Sequence, residues 1–238
     1  MRDILDGQIK TYIESSFRSR EFHAWVKESS LWMSLYSCLR VKGVEMDKRQ
    51  LVEVLGGGIF EDLPIEVYNF VINYKELYND MQMCVSMQQS LDEKLVKRFS
   101  DILFGDDAYR SSNPIIYKWG YIAPHFNDIP SMLTEAFRHN MHIPDVIERA
   151  VHIHNALATV YPFGENTPAI AMVSLYYVLM SAAIPLPQIT ADYEEYNRIM
   201  QSDFESKTNE FELMIERSLI NRLDSVINLG KEADGIDS

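Results

Sequence analysis

Glycine and proline are few in this chain, ten and nine in 238 residues, and they fall between runs of helical period. Breakers confined to the joints, with apolar residues recurring at three and four between them, leave little room for anything but a string of helices. Residues 6–17 place Ile9, Ile13 and Phe17 on one helical face, and residues 25–41 continue the theme until Gly43, the expected left-handed cap. Asp47 opens a short helix with Leu51, Val54 and Leu55 on one side, and Gly56-Gly57-Gly58 breaks it. That triplet lacks the Gly-Lys-Ser/Thr of a phosphate loop and reads as a flexible turn. Pro64 begins a long helix in which Val67, Phe70, Val71, Tyr74, Leu77, Tyr78 and Met81 share a face.

Further helices are expected over 91–104, 129–139, 144–160 and 168–183, with two more within 192–229. Residues 105–130 are rich in turn formers, and 115–122 suit a small hairpin. The tail from 230 to 238 is polar and reads as loose. The expected fold class is therefore all-α with one small hairpin.

Composition narrows the function. Forty-seven per cent hydrophobic residues suffice for a core, so general disorder is excluded. Asp plus Glu number 35 against 22 Lys plus Arg, a formal charge of −13, and the longest basic stretch is Lys94-Leu95-Val96-Lys97-Arg98. Phosphate backbones are repelled by such a surface, so no nucleic-acid partner is expected. Cys38 and Cys84 are too few for a disulfide framework and read as buried small hydrophobes. Met1-Arg2-Asp3-Ile4-Leu5-Asp6 is too acidic for a secretory signal, and residues 169–184 are too short, with two serines, for a membrane span. A cytoplasmic protein without a membrane partner is expected.

Residues 154–169 read His-Asn-Ala-Leu-Ala-Thr-Val-Tyr-Pro-Phe-Gly-Glu-Asn-Thr-Pro-Ala. The segment resembles the signature of the Fic (Fic/Doc) family, His-Pro-Phe-x-Asp/Glu-Gly-Asn-Gly-Arg, set between two core helices. His154 and Leu157 match positions in the family's preceding helix. Tyr109-Arg110, Pro124, Ile129-Pro130 and the hairpin with Tyr117, Lys118, Trp119, Gly120 and Tyr121 are similar to its flap, which positions a target segment. Residues 192–223 are similar to the helices that close its core, so the resemblance covers roughly 73–225. It implies a Fic-type helical bundle with three parts: an N-terminal helical extension over 1–72, a core over 73–229 and a flexible tail over 230–238.

The resemblance also implies a chemistry from which this loop departs. In Fic enzymes the motif histidine takes the proton of a target hydroxyl as that oxygen attacks the nucleotide's α-phosphate; here the position holds Tyr161, whose ordinary pKa near 10 makes a weak base. The family's Gly-Asn-Gly, whose amides cup the phosphates, is Asn166-Thr167-Pro168, and the phosphate-binding arginine is Ala169. Pro162 and Phe163 survive as loop-shaping residues beside Gly164, and Glu165 stands where the family holds Mg²⁺. Glu165 is either that ligand, weak without a triphosphate to share the metal, or a solvated loop acid. Thr167 as N-cap and Pro168 as first helical residue would start the next helix firmly.

Many Fic proteins carry an inhibitory helix, Ser/Thr-x-x-x-Glu-Gly/Asn, whose glutamate pairs with the motif arginine. Residues 37–43 resemble its end, with Cys38 at the Ser/Thr, Lys42 in the glutamate's place and Gly43 following. Loss of both partners together spares the fold a buried unpaired charge. Lys42 either pairs with Glu165 or is a lysine favoured by the helix C-terminus. Among the histidines, His152 and His154 lie on different helix faces and cannot chelate together, while His139 and His142 flank a turn without a third ligand. His154 is expected to bond to the backbone within the core, or to replace the motif histidine as base.

The sequence thus points to a degenerate Fic-type protein without ordinary AMP transfer, a binding or regulatory module needing no cofactor. Its partner would be a protein met at the flap or a helical face, a second copy included. The alternative is a divergent nucleotidyl- or phosphotransferase that uses Mg-ATP, Glu165 as metal ligand and Tyr161 or His154 as helper.

Overall fold

A computed structural model of the chain describes residues 1–15, 17, 19–58, 60, 63–113, 115–116 and 121–235. Ten α-helices and a two-stranded ribbon follow in the order α1 (Arg2–Glu14), α2 (Arg20–Val41), α3 (Lys48–Leu55), α4 (Ile65–Ser86), α5 (Glu93–Phe104), β1 (Ile115–Ile116), β2 (Tyr121–Ile122), α6 (Ile129–Asn140), α7 (Val146–Val160), α8 (Thr167–Ser181), α9 (Tyr193–Ser206) and α10 (Glu210–Ala233). The all-α expectation holds. β1 and β2 are antiparallel, with Ile115 opposite Ile122 and Ile116 opposite Tyr121.

Helix α8 is the hub. From Ala169 to Leu179 every residue is buried, because the helix is apolar on all sides and is wrapped by α7, α2, α4 and α5. Of its buried hydroxyls, Ser174 donates to the carbonyl of Ile170 at 2.8 Å and Tyr177 to that of Gln89 at 2.5 Å. Asp47 starts α3 through a capping box with Gln50, and Asp92, Asp145 and Asp192 cap α5, α7 and α9 through their side chains. In α4 the expected face is buried at Phe70, Val71, Tyr74, Leu77, Tyr78 and Met81, while Val67 at its start is half-buried.

The ends depart from the sequence reading. The first helix begins at Arg2, and its buried residue is Leu5, whereas Ile13 is 60% exposed. α2 starts at Arg20 under the Ser19 cap, earlier than its apolar pattern indicates. The tail expected to be loose from Gly230 is helical as far as Ala233. Gly230 is buried there against the Phe17 ring, which a Cβ would meet at 2.5 Å. Gly230→Ala is therefore expected to lower stability by about 1–3 kcal/mol, measurable by urea unfolding, since the ring or the helix must shift. The division expected after residue 72 falls inside α4, and the core runs on across it, with Leu35, Leu39, Tyr74, Tyr176 and Ile215 in one cluster.

α1 packs on α10. Arg2 donates to Glu216 at 2.8 Å and to Asp145, and the Gln8 amide donates to Asp224. Among the described residues no helix is long and apolar enough to cross a membrane.

Candidate functional site

The site is built at the turn between α7 and α8. α7 stops because Pro162 disfavours the right-handed helical region for the residue before it. Tyr161 instead takes left-handed angles, φ 54 and ψ 51, uncommon for a residue with a bulky side chain. The strain is held by Arg110. Its guanidinium donates to the carbonyls of Tyr161 at 2.9 Å, Val160 at 3.2 Å, Pro124 at 2.6 Å and Ser112 at 2.7 Å, while its own N–H donates to the Pro162 carbonyl at 2.8 Å. One cation thus satisfies the last carbonyls of α7 and ties them to the flap-side loop. Tyr109 beside it packs its ring on Phe163 at 5.4 Å.

Beyond Pro162 the chain makes a tight 3-10 turn over Gly164–Asn166, with Gly164 at φ +57. The Asn166 N–H bonds the Phe163 carbonyl at 3.2 Å, and the Thr167 N–H bonds that of Gly164. Thr167 is not the N-cap expected of it. The cap position is Asn166, and Thr167 is already helical, so its Oγ1 reaches back to accept the Phe163 N–H at 3.0 Å. Pro168 accordingly sits one place further along than the first helical residue, and Ala169 is wholly buried.

Around this turn stand Tyr161, Glu165, Lys42 and Tyr193. Burial pushes the Tyr161 phenol up to about 12, with Glu165 and Tyr193 adding to the effect and Arg110 opposing it. Glu165 is exposed. Lys42, at the end of α2, donates to Asn166 Oδ1 at 3.2 Å; Glu165 acts on it only as a nearby charge, and burial outweighs that charge, so the lysine pKa is lowered. Gly43 takes φ +77 and lies under Tyr193, whose ring a Cβ would meet at 3.4 Å. Cys38 is buried with its Sγ toward the Tyr74 hydroxyl at 3.8 Å, and burial raises its thiol to about 12, leaving it unreactive.

His154 departs from its expected backbone bond. It is fully buried, with Nδ1 2.9 Å from Asn155 Oδ1, Nε2 3.1 Å from the Tyr196 hydroxyl, and its ring stacked on Phe211 at 3.9 Å. Burial lowers its pKa to about 4. His152 turns away, bonding Asn140 Oδ1 at 3.2 Å, with the His139 ring 4.9 Å from its own. Of the flap residues, Tyr117, Lys118, Trp119 and Gly120 lie outside the described residues; Tyr121 packs its ring on Phe204 at 4.2 Å. Sequence reasoning missed Tyr193, Tyr196 and Phe204, and saw Arg110 only as part of a flap. The available signal for Arg110 was its isolation, as the single basic residue between Arg98 and Lys118.

No family model and no curated protein matches the sequence. Solved structures match its shape. A Fic-1 fragment from C. elegans aligns with a TM-score of 0.83 at 15% identity, over 98% of this chain and 73% of that one. A Fic family protein from Desulfovibrio desulfuricans aligns with a TM-score of 0.77 at 14% identity, over 95% and 74%. A Fic domain containing signaling protein from Bacteroides thetaiotaomicron aligns with a TM-score of 0.76 at 16% identity, over 98% of both chains. The chain has the fold of the Fic-domain proteins.

Proposed function

From that fold we propose that the chain is a degenerate Fic-type protein, one that does not carry out ordinary AMP transfer and serves as a binding or regulatory module. The observation that carries this is the start of α8. An anion cradle at a helix N-terminus needs outward N–H groups. Here the Phe163 N–H is spent on Thr167 Oγ1, the Asn166 and Thr167 N–H groups close the turn on themselves, and Pro168 has none. Ala169, buried in the helix, offers no guanidinium in place of the family's arginine.

Two further features support the reading. A phenol raised to about 12 is ionised at neutral pH even less than free tyrosine, which speaks against Tyr161 as a stand-in for the motif histidine. His154, fully buried between Phe211 and Tyr196, is out of a substrate's reach. The residues present do not fit the family's Mg²⁺ either: Glu165 is a lone exposed carboxylate, and no group of three or more metal-binding side chains gathers among the described residues. The partner we infer is a protein segment added as a strand to the antiparallel β1–β2 ribbon.

Titration with Mg-ATP tests this. No saturable rise in melting temperature is expected, whereas a ligand at about a hundred times its Kd would add about 2.7 kcal/mol. A saturable rise, or labelled protein after incubation with labelled ATP and lysate, overturns the reading. One observation favours the transferase alternative: Lys42 brings a cation to Asn166, at the loop that lacks its arginine. That alternative requires Glu165→Ala to abolish nucleotide binding, and the module reading expects no change.

A further inference from the structure

Beside the turn, the end of α2, the first turns of α4 and the end of α5 line a cleft of about 470 Å³. This is within the range of small-molecule sites. Its walls are apolar, made by Leu39, Val67, Phe70, Leu103 and Phe104. One cation enters it. Lys42 Nζ lies 4.8 Å from the centre of the Phe104 ring and 5.8 Å from that of Phe70, with one N–H given to Asn166. An ammonium has three such donors. Val44, Glu66, Asn69 and Asn73 also line it, and Asn73 is fixed by donating to the Leu103 carbonyl at 3.2 Å.

We propose that this cleft binds a small organic monoanion of the aromatic carboxylate class. The carboxylate meets Lys42 beside Asn166, and the ring lies along the wall formed by Val67, Phe70 and Phe104. Burial disfavours the lysine's charge, and an arriving carboxylate supplies the missing compensation by a charge-assisted bond. Multiply charged ligands are disfavoured, because Glu66 lines the same cleft, Glu165 is close enough to act on Lys42, and the chain as a whole is acidic. A single carboxylate on an apolar body is the ligand that one cation and an apolar wall satisfy. Once seated, it would brace the end of α2 against α4 and, through Asn166, the turn before α8. The cleft shares Lys42 and Asn166 with the α7–α8 turn, but the nucleotide reading is tested by Mg-ATP and the cleft by phenylacetate, so the two proposals fail by different results.

The test uses the full chain and three probes: phenylacetate, its neutral analogue phenylacetamide, and acetate. Calorimetric titration is expected to show saturable binding of phenylacetate, with both other probes at least about tenfold weaker, the cost of losing a charged hydrogen bond or the ring contact. Lys42→Met, which keeps the apolar stem, is expected to weaken phenylacetate by a similar factor. Amide NMR shifts are expected to gather at residues 39–44, 66–73, 103–104 and 166. Absence of saturation up to about 10 mM, well past millimolar affinity, overturns the proposal. So does equal binding of phenylacetate and phenylacetamide to the unmodified protein, a comparison that needs no variant to fold. Undiminished binding to Lys42→Met, or shifts gathered elsewhere, would also overturn it.

Discussion

Acidification from pH 7 to pH 4 is expected to remove about 3 kcal/mol of stability through His154 alone. In the folded chain this imidazole is enclosed by Phe211, Tyr196 and Asn155, and burial brings its pKa down to about 4; an exposed histidine titrates near 6.5. Above pH 6.5 both states hold it neutral, and its burial carries no protonation penalty. As the pH falls below that value the unfolded chain takes up a proton that the folded chain refuses, so the unfolded state gains. The gap is about 2.5 pH units at about 1.4 kcal/mol per unit. Urea unfolding of the wild type and of His154→Gln at steps from pH 7 to 4 measures it. The variant is expected to be less stable at pH 7 but to lose less on acidification, and parallel curves would rule out the buried imidazole as the cause.

Replacing Arg110 with alanine is expected to cost on the order of 3 kcal/mol. Four carbonyl oxygens from three separate stretches of chain, at Ser112, Pro124, Val160 and Tyr161, converge on this one guanidinium. Hydrogen bonds to a charged donor contribute about 1.5–3 kcal/mol each, and the partly exposed carbonyls recover some of that from water. The left-handed Tyr161 adds to the effect, because its backbone is held by the bonds that would be lost. Thermal unfolding should show the drop, and hydrogen exchange should show it concentrated in the last turn of α7. Arg110→Lys keeps the charge but cannot span four acceptors, so it is expected to recover less than half. A loss under about 1 kcal/mol for alanine, the range of an ordinary surface change, would mean that water replaces the arginine without cost.

Helix identities were legible in the sequence because burial follows period: the α4 face and the wholly apolar α8 could be read from spacing alone. Helix ends were less legible where long-range contacts decide them. Nothing local says that α10 passes through Gly230, where the missing Cβ leaves room for the ring of Phe17, more than two hundred positions away. The turn between α7 and α8 could be found from Pro162, Phe163 and Glu165, yet its bonding could not. Thr167 after Asn166 suggests a cap, and only the 3-10 turn before it places Thr167 inside the helix with Oγ1 facing back to Phe163. The partner of Lys42 was likewise open, because a residue 124 positions away decides it, and Asn166 rather than Glu165 takes the bond.

The pairing of α1 with α10 has a consequence for how the protein is made. Arg2 and Gln8 bond Glu216 and Asp224, 214 and 216 positions further along, so these contacts of α1 form only once α10 is in place, while the Arg2–Asp145 contact needs only the start of α7. Contacts that close so long a loop are slow to form, so α1 is expected to dock on α10 late in folding, and removing α10 should loosen it.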